Sequence, residues 1–507
     1  MFDFFSSFLR KKPLPPVHPT AKPGHSLPLS VKNLKFIFAD CADLESRSVI
    51  AGGRGSLVVT VLWLDGLVSG TDVSEDILRP LSENASLSHA RSDAELLRLL
   101  ENGGIYSCSL KRCDSLPSLC DDLLRGRTAV ICGSSALSFD TKSRDTRSIS
   151  EPRVEKSILG AKDAFTESLR VNTALLRRHL RTSELKLVEL TVGRRSGTRL
   201  SVSYIRDVAR PERVEALLSA LREIDIDGVT SPGDLAAYLS QPPRGSFPQL
   251  EFTERPDRLS RSLRDGRIAL FVDGLPQALM LPCTLPLMLR VEEDRSLHAA
   301  AASLLTLLRW AALLISLLLP AFYTAVAMYH QEMIPHALLL SVIEAKQSVP
   351  FTTAAEILGT LAAFALLQEA GLRLPDPAGT TVSIIGALIV GQSAVEARVV
   401  SPIAVIVVAL AAIAGYTQPD QQLGTAIRLW RFTLVLCAVA LGLVGVMAGL
   451  VLLLWRLCES ESLGVSYLYP LCDSRPGDAL RSVLRPPLRL EKLRAPALSG
   501  KNRRKQK

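Results

Sequence analysis

Charge is missing from one long stretch of this 507-residue chain. Only 6 of its 59 Lys and Arg and 7 of its 50 Asp and Glu fall between Leu304 and Trp455; the remainder has the charged share usual for globular domains. Such a division excludes a purely soluble enzyme, a disordered tail and a collagenous repeat, and it joins a large soluble part to a membrane part. Aromatic residues are scarce at 5%, and no basic stripe is interleaved with them, which argues against nucleic acid as a partner. The nine cysteines form no CxxC pair, and the gaps of five and seven within Cys108, Cys113 and Cys120 do not suit zinc. They read as reduced thiols of a cytoplasmic compartment. HExxH, GxSxG and P-loop strings are absent, and the two histidines of HQEMIPH stand six apart, wrong for a helical zinc pair. We expect no enzyme, no cofactor and no metal centre.

What charge there is lies unevenly. The net charge is +9, and Arg456–Lys507 alone holds 12 basic and 5 acidic residues. A tail of that kind suits anionic lipid headgroups. The opening MFDFFSSFLRKKPLPP places its apolar residues before its basic ones, the reverse of a secretory signal. The soluble part is therefore expected to stay in the cytoplasm.

The soluble part reads as two related units. SLVVTVLWLDGL (Ser56–Leu67) and TRLSVSYIRDV (Thr198–Val208) are strand-like, and each is followed by a helical stretch, Val73–Leu81 in the first. In the second, Val214, Leu217, Leu218 and Leu221 make one helical face. LLRGRTAVICGSSAL (Leu123–Leu137) resembles LRDGRIALFVDGLPQAL (Leu263–Leu279), again about 140 residues on. The expected fold class is α+β/α/β: two related small sheet-plus-helix subdomains with mixed strand order, then an all-α polytopic membrane domain. The expected boundaries are a basic Pro-rich arm at 1–32, the first α/β subdomain at 33–139, a linker at 140–160 and the second subdomain at 161–300. A transmembrane domain at 301–456 and a basic cytoplasmic tail at 457–507 complete the chain. GGRG (Gly52–Gly55), CGSS (Cys132–Ser135) and IDIDG around Asp225 and Asp227 lack the context of a dinucleotide loop, a nucleophile elbow and a calcium loop.

Leu304–Tyr329 is long enough to cross a hydrocarbon core of about 30 Å, with Pro320 kinking it, and Leu429–Trp455 is the other long apolar segment. The pieces between them, Ile334–Ala345, Ala354–Gly371, Val382–Val395 and Val399–Tyr416, are shorter or carry charge. They read either as re-entrant or broken helices around a conduit or as short spans in a packed bundle. Both termini are expected in the cytoplasm by the positive-inside rule, giving four full crossings, alternatively six. Arg428 and Arg431 fit this badly, since they would open the last span on the outer side. Charges within the block each cost at least about 2.5 kcal/mol at mid-membrane unless paired or wetted. Glu356 and Glu369 lie on the intermediate piece. The candidate ion-path or gating residues are Glu332, Gln392, Glu396 and Arg398, with Pro320, Pro335 and Pro402. The competing reading places Glu332 and Glu396 at interfaces, solvated or paired with Arg398 or Arg373.

Several segments, in order along the chain, carry a resemblance. They are EPRVEKSILGAKDAFTESLRVNTALLRRHL (Glu151–Leu180), the run from VSYI to IDIDG (Val202–Gly228), TERPDRL (Thr253–Leu259) and DGRIALFVDG (Asp265–Gly274). LLPAFY and HQEMIP (Leu318–Pro335), VSIIGALIVGQSAVEA (Val382–Ala397), VSPIAVIVVALAAIA (Val400–Ala414) and GVSYLYP (Gly464–Pro470) continue it. Along most of its length the chain resembles the A subunits of GerA-type spore germinant receptors of endospore-forming bacteria. The resemblance implies a protein of the spore inner membrane that assembles with a permease-like B subunit and a lipoprotein C subunit and forms homo-oligomers. It implies an ion-conducting A component triggered by small nutrients. A sporulation-stage paralogue shares these motifs, and a non-conducting membrane scaffold is the reading from another class. Arg398, where the family pattern has a small residue, and His336, where it has a small or polar one, are departures that bear on charge selectivity.

Overall fold

The computed structural model describes residues 27–507 except 54–56, 106–108, 144–151, 153–154, 156–159, 241–244, 374–388, 473–475 and 507. Most of the 1–32 arm, most of the 140–160 linker, part of GGRG, Cys108 and the first half of Val382–Val395 therefore lie outside the described residues.

In the first unit, Ser30 caps α1 (Val31–Ile37) by accepting from the Asn33 N–H. Then come β1 (Leu44–Ile50), β2 (Val58–Leu64), α2 (Asp93–Leu99), β3 (Leu110–Cys113), α3 (Leu116–Leu124), β4 (Arg127–Cys132) and β5 (Ser135–Asp140). The expected helix at Val73–Leu81 is there, as a run of π and α turns between Gly70 and Glu83. The strands form one sheet in the order β1-β2-β4-β5-β3. Alternation decides the two faces. Leu62, Leu64, Ala129 and Ile131 pack with α1 and α3, whereas Val59, Val61, Val130 and Cys132 pack with α2 and the Gly70–Glu83 run.

The second unit repeats this plan with α4 (Leu169–His179), β6 (Leu185–Val192), β7 (Thr198–Ile205), α5 (Pro211–Glu223), α6 (Pro232–Leu239), β8 (Glu251–Thr253), α7 (Pro256–Arg264), β9 (Ile268–Val272) and β10 (Ala278–Leu281). Its order, β6-β7-β9-β10-β8, matches the first strand for strand, and every pairing in both sheets is antiparallel. Val214, Leu217 and Leu221 of α5 are buried against Leu200, Val202 and Leu270. Phe271 and Met280, on the opposite face, pack with α4 and α7.

The two units are fastened together by polar groups that neither could bury alone. Arg177 of α4, fully buried, makes a two-pronged ion pair with Asp43, Nη2 to Oδ1 at 2.8 Å. The Lys186 ammonium donates to the Ile37 carbonyl at 2.7 Å.

Beyond the second unit come α8 (Ala299–Tyr329), α9 (His336–Gln347), α10 (Thr353–Arg373), α11 (Pro402–Tyr416) and α12 (Gln421–Glu459). By length and composition α8 and α12 can each cross a membrane. Contacts give their directions. Gln418 donates to the Arg309 carbonyl and Arg431 binds both Ser316 and Ala411, so α11 runs antiparallel to α8 and the start of α12 runs parallel to it. The Tyr329 hydroxyl reaches the Val439 carbonyl at 2.5 Å, next to the far end of that run.

There α12 turns back on itself. Gly442 has φ 62° and ψ −138°, which side-chain-bearing residues avoid. A Cβ on Gly445 would fall 1.9 Å from the Cys437 carbonyl oxygen, and one on Gly449 would meet Leu434. In an unbroken helix, residues 437 and 445 would stand about 12 Å apart along the axis. The segment expected as one span, Leu429–Trp455, thus belongs to a hairpin whose two arms, 421–441 and 443–459, are about 31 and 25 Å long. The glycines let the backbones approach so closely. Both hairpin ends return to the second unit. Trp430 stacks on Phe247 and donates to Ser246, and Ser462 joins Gln249 to Cys283. Arg428 and Arg431 therefore sit at the soluble-unit end of their arm, which removes the difficulty they posed in the linear reading.

The tail is folded as well. α13 (Pro476–Val483) is followed by a segment that docks on the second unit. Leu498 is buried, Asn502 donates to Asp207, Arg494 donates to the Arg264 carbonyl, and Lys505 pairs with Asp265 at 2.6 Å. Lys501 and Arg503 remain exposed.

Candidate functional site

The residues singled out in the sequence lie around the end of α8 and the start of α11. Pro320 lacks an N–H, so the Ser316 carbonyl one turn earlier loses its helical partner. Arg431 takes that place, its Nε donating to Ser316 O at 2.7 Å and its Nη2 to the Ser316 hydroxyl and, at 3.2 Å, to Ala411 O. Pro320 is buried within the bundle, so it acts through this lock and not as a wall of an open path. Pro335 stands at the N-cap of α9, and Pro402 opens α11 just after Ser401, whose hydroxyl accepts from Ala404 N–H. Both are helix-start devices, the fixed φ of proline suiting a first turn.

Glu332 lies on the single turn Gln331–Met333 after α8 and is exposed. Gln392 belongs to a π turn, Ile389–Ser393, and Glu396 to the short turn Ala394–Glu396; both are exposed. Arg398 is exposed with φ 56°, a left-handed conformation for a residue with a side chain. Among the described residues no ion pair or side-chain hydrogen bond joins Glu332, Gln392, Glu396 and Arg398 to one another. They are uncovered polar groups on short turns between apolar helices, whose exposed large side chains include Leu410, Ile413, Leu441 and Val444. Glu369 is also exposed, whereas Glu356 is 2% exposed and is drawn between α8, α10 and α11.

Sequence reasoning passed over the junction between the second unit and the helices. Glu251, on β8, is fully buried. Arg258 of α7 bridges it to Glu155. Burial pushes the Glu251 carboxyl up to about 6, against the opposing pull of Arg258 and Arg267. Burial acts to lower Arg258, but Glu251 and Glu155 outweigh it and hold the guanidinium charged. Asp420, whose charge acts on both Glu251 and Arg258, caps α12 by accepting from the Leu423 N–H at 2.8 Å. Nearby, Arg309 at the start of α8 forms a forked pair with Asp294. The signal available beforehand was the EFTERPDR string (Glu251–Arg258), in which three acids and two arginines fall within eight residues. Above this junction a cleft of about 580 Å³ opens between α6 and the start of α12, lined by Ala236, Ser246, Gln249, Gln422, Thr425 and Leu429.

A family model described as the Bacillus/Clostridium GerA spore germination protein matches residues 32–497. A protein of Bacillus subtilis (strain 168) called uncharacterized membrane protein YfkQ is 34% identical over 441 residues, covering 87% of this chain and 85% of its own. Spore germination protein KA of the same organism is 32% identical, with 88% and 82% covered. The crystal structure of the N-terminal domain of the A subunit of the Bacillus megaterium spore germinant receptor GerK3 aligns with 50% of this chain and 92% of its own, at 27% identity and a TM-score of 0.39.

Proposed function

The chain belongs to the GerA spore germination protein family, and from that premise we propose that it is the membrane subunit of a nutrient-responsive germination receptor that forms the receptor's oligomeric ion-conducting component. It acts in the inner membrane of the spore, multi-pass and with both termini cytoplasmic, beside a permease-like B subunit and a lipoprotein C subunit. The exposed Lys501 and Arg503 of the docked tail lie on anionic lipid.

One observation carries the conducting role. Glu332, Gln392, Glu396 and Arg398 are uncovered on the turns that join apolar helices. Inside a bilayer each charge among them costs at least about 2.5 kcal/mol unless it is paired or wetted. Copies arranged around a shared axis meet that requirement by turning these residues toward a water-filled path, which a lone chain lacks.

Glu396→Gln and Glu332→Gln are expected to impair nutrient-triggered ion release at unchanged protein abundance. Wild-type release in both variants would remove these positions from the path. Purified protein in liposomes separates a conductor from a scaffold, since a scaffold passes no ions however it is triggered.

A further inference from the structure

The first two turns of α10 carry a polar stripe, Thr353, Glu356 and Thr360, spaced to share one face and all buried. The two threonines are satisfied. Thr360 donates to its own helix at the Glu356 carbonyl, 2.7 Å away, and Thr353 accepts the Lys346 ammonium from α9.

Glu356 is only half satisfied. One carboxylate oxygen accepts the Ser401 N–H at the start of α11. The other, Oε2, is buried without a hydrogen-bond partner. The Tyr323 hydroxyl, brought from α8 one turn beyond Pro320, is likewise buried without a hydrogen bond of good geometry, next to the Ser401 side chain and within range of the Glu356 charge. Two oxygen atoms on different helices, Glu356 Oε2 and the Tyr323 hydroxyl, are thus left without a well-formed hydrogen bond, with the Ser401 hydroxyl beside the second.

The charge balance narrows what fits. Among the described residues no Lys or Arg forms an ion pair with Glu356. Lys346 faces it from α9 and donates to Thr353, its charge acting on the carboxylate without closing an ion pair. From α12 the nearest polar link to α10 is Arg428 with Gln368, about three turns away. A buried carboxylate without a contact ion pair costs several kcal/mol, more than the N-terminus of α11 returns. An oxygen-only donor set selects a hard cation. One carboxylate neutralises one positive charge, and among the described residues no group of three His, Cys, Asp or Glu gathers to hold a multivalent metal.

We propose that Glu356, Tyr323 and Ser401 form a binding site for a single monovalent metal cation, which ties α8, α10 and α11 together. The cation takes Glu356 Oε2 and the Tyr323 hydroxyl oxygen as ligands, and Lys346 is the built-in competitor for the carboxylate when the site empties. The site stands whether or not the chain conducts.

The test is the melting temperature of the full-length protein in lipid nanodiscs, in potassium, sodium or N-methyl-D-glucamine chloride at equal ionic strength and pH. The expected result is a saturable rise in melting temperature with potassium or sodium over N-methyl-D-glucamine. Glu356→Gln abolishes the difference between the salts. Tyr323→Phe, which keeps the carboxylate, raises the half-saturating concentration about tenfold, the effect of losing one ligand worth about 1.4 kcal/mol. A wild-type protein that melts alike in all three salts overturns the proposal, as does a salt preference that survives in Tyr323→Phe with unchanged half-saturation. A stability that follows pH alone and ignores the metal ion also overturns it, assigning a proton to the carboxylate instead. Glu332→Gln and Glu396→Gln are expected to keep the full salt effect, so failure of conduction and failure of this site read out separately.

Discussion

Pro320 and Arg431 are expected to be energetically coupled although they lie 111 positions apart in the chain. The proline deprives the Ser316 carbonyl of its helical donor, and Arg431 supplies a replacement at 2.7 Å. Removing the guanidinium with Arg431→Met leaves that buried carbonyl unpaired, a loss of about 1–3 kcal/mol, and also removes the bonds to the Ser316 hydroxyl and Ala411. Against this stands the relief of desolvating a cation that has no carboxylate partner among the described residues. The net expectation is a destabilisation of about 2 kcal/mol. Pro320→Ala returns an N–H to position 320, which can serve the Ser316 carbonyl directly. In that background Arg431→Met should cost about 1–2 kcal/mol less. The assay is a double-mutant cycle on four full-length proteins, unfolded reversibly by denaturing detergent in mixed micelles. Additivity of the two substitutions within about 0.5 kcal/mol would refute the argument, because it would mean the two groups do not share the carbonyl.

Two further outcomes follow from buried charge. The Glu251 carboxyl is pushed up from 4.5 to about 6 by burial, so the folded chain holds a proton there that the unfolded chain has already lost. Stability is then expected to fall as pH rises through that window, and Glu251→Gln should flatten the fall in a series of melts from acid to neutral pH. At the contact between the two soluble units, Asp43→Ala strands the fully buried Arg177 and should destabilise by about 3–5 kcal/mol. Adding Arg177→Met should recover part of that loss, as read from the melting temperature of the double variant.

The two soluble units were legible in the chain because their cores obey simple periods. Val214, Leu217 and Leu221 follow one face of α5 and are buried along it, and Leu200 and Val202 alternate along β7 toward the same core, although Ser201 and Ser203 between them are buried as well. The spacing of about 140 residues between the strand-like segments Ser56–Leu67 and Thr198–Val208 likewise marked equivalent strands of two sheets with one strand order. The hairpin in α12 was not legible. Gly442 sits in a run of Leu, Val, Ala and Gly that is apolar whichever way the helix goes, and a reversal leaves no periodic trace. Nor was the docking of the tail, since a run of Arg and Lys reads the same whether it meets lipid or the carbonyls and carboxylates of a neighbouring unit. Glu356 was visible as a charge in an apolar block. Its surroundings come from Tyr323 and Ser401, 33 and 45 positions away, which only packing brings together.

The docked tail also sets an order of events during synthesis. Asp207, Arg264 and Asp265 leave the ribosome roughly 230–295 residues before Asn502, Arg494 and Lys505 reach them, an interval of about 12–60 s at ordinary elongation rates. Throughout it the second unit carries an open surface where the tail will lie. That surface closes only after every apolar helix has been made, and only if the chain has come back to the side it left. A nascent protein with a hydrophobic segment misplaced cannot cover it, so an uncovered Leu498 site distinguishes a wrongly threaded chain from a finished one.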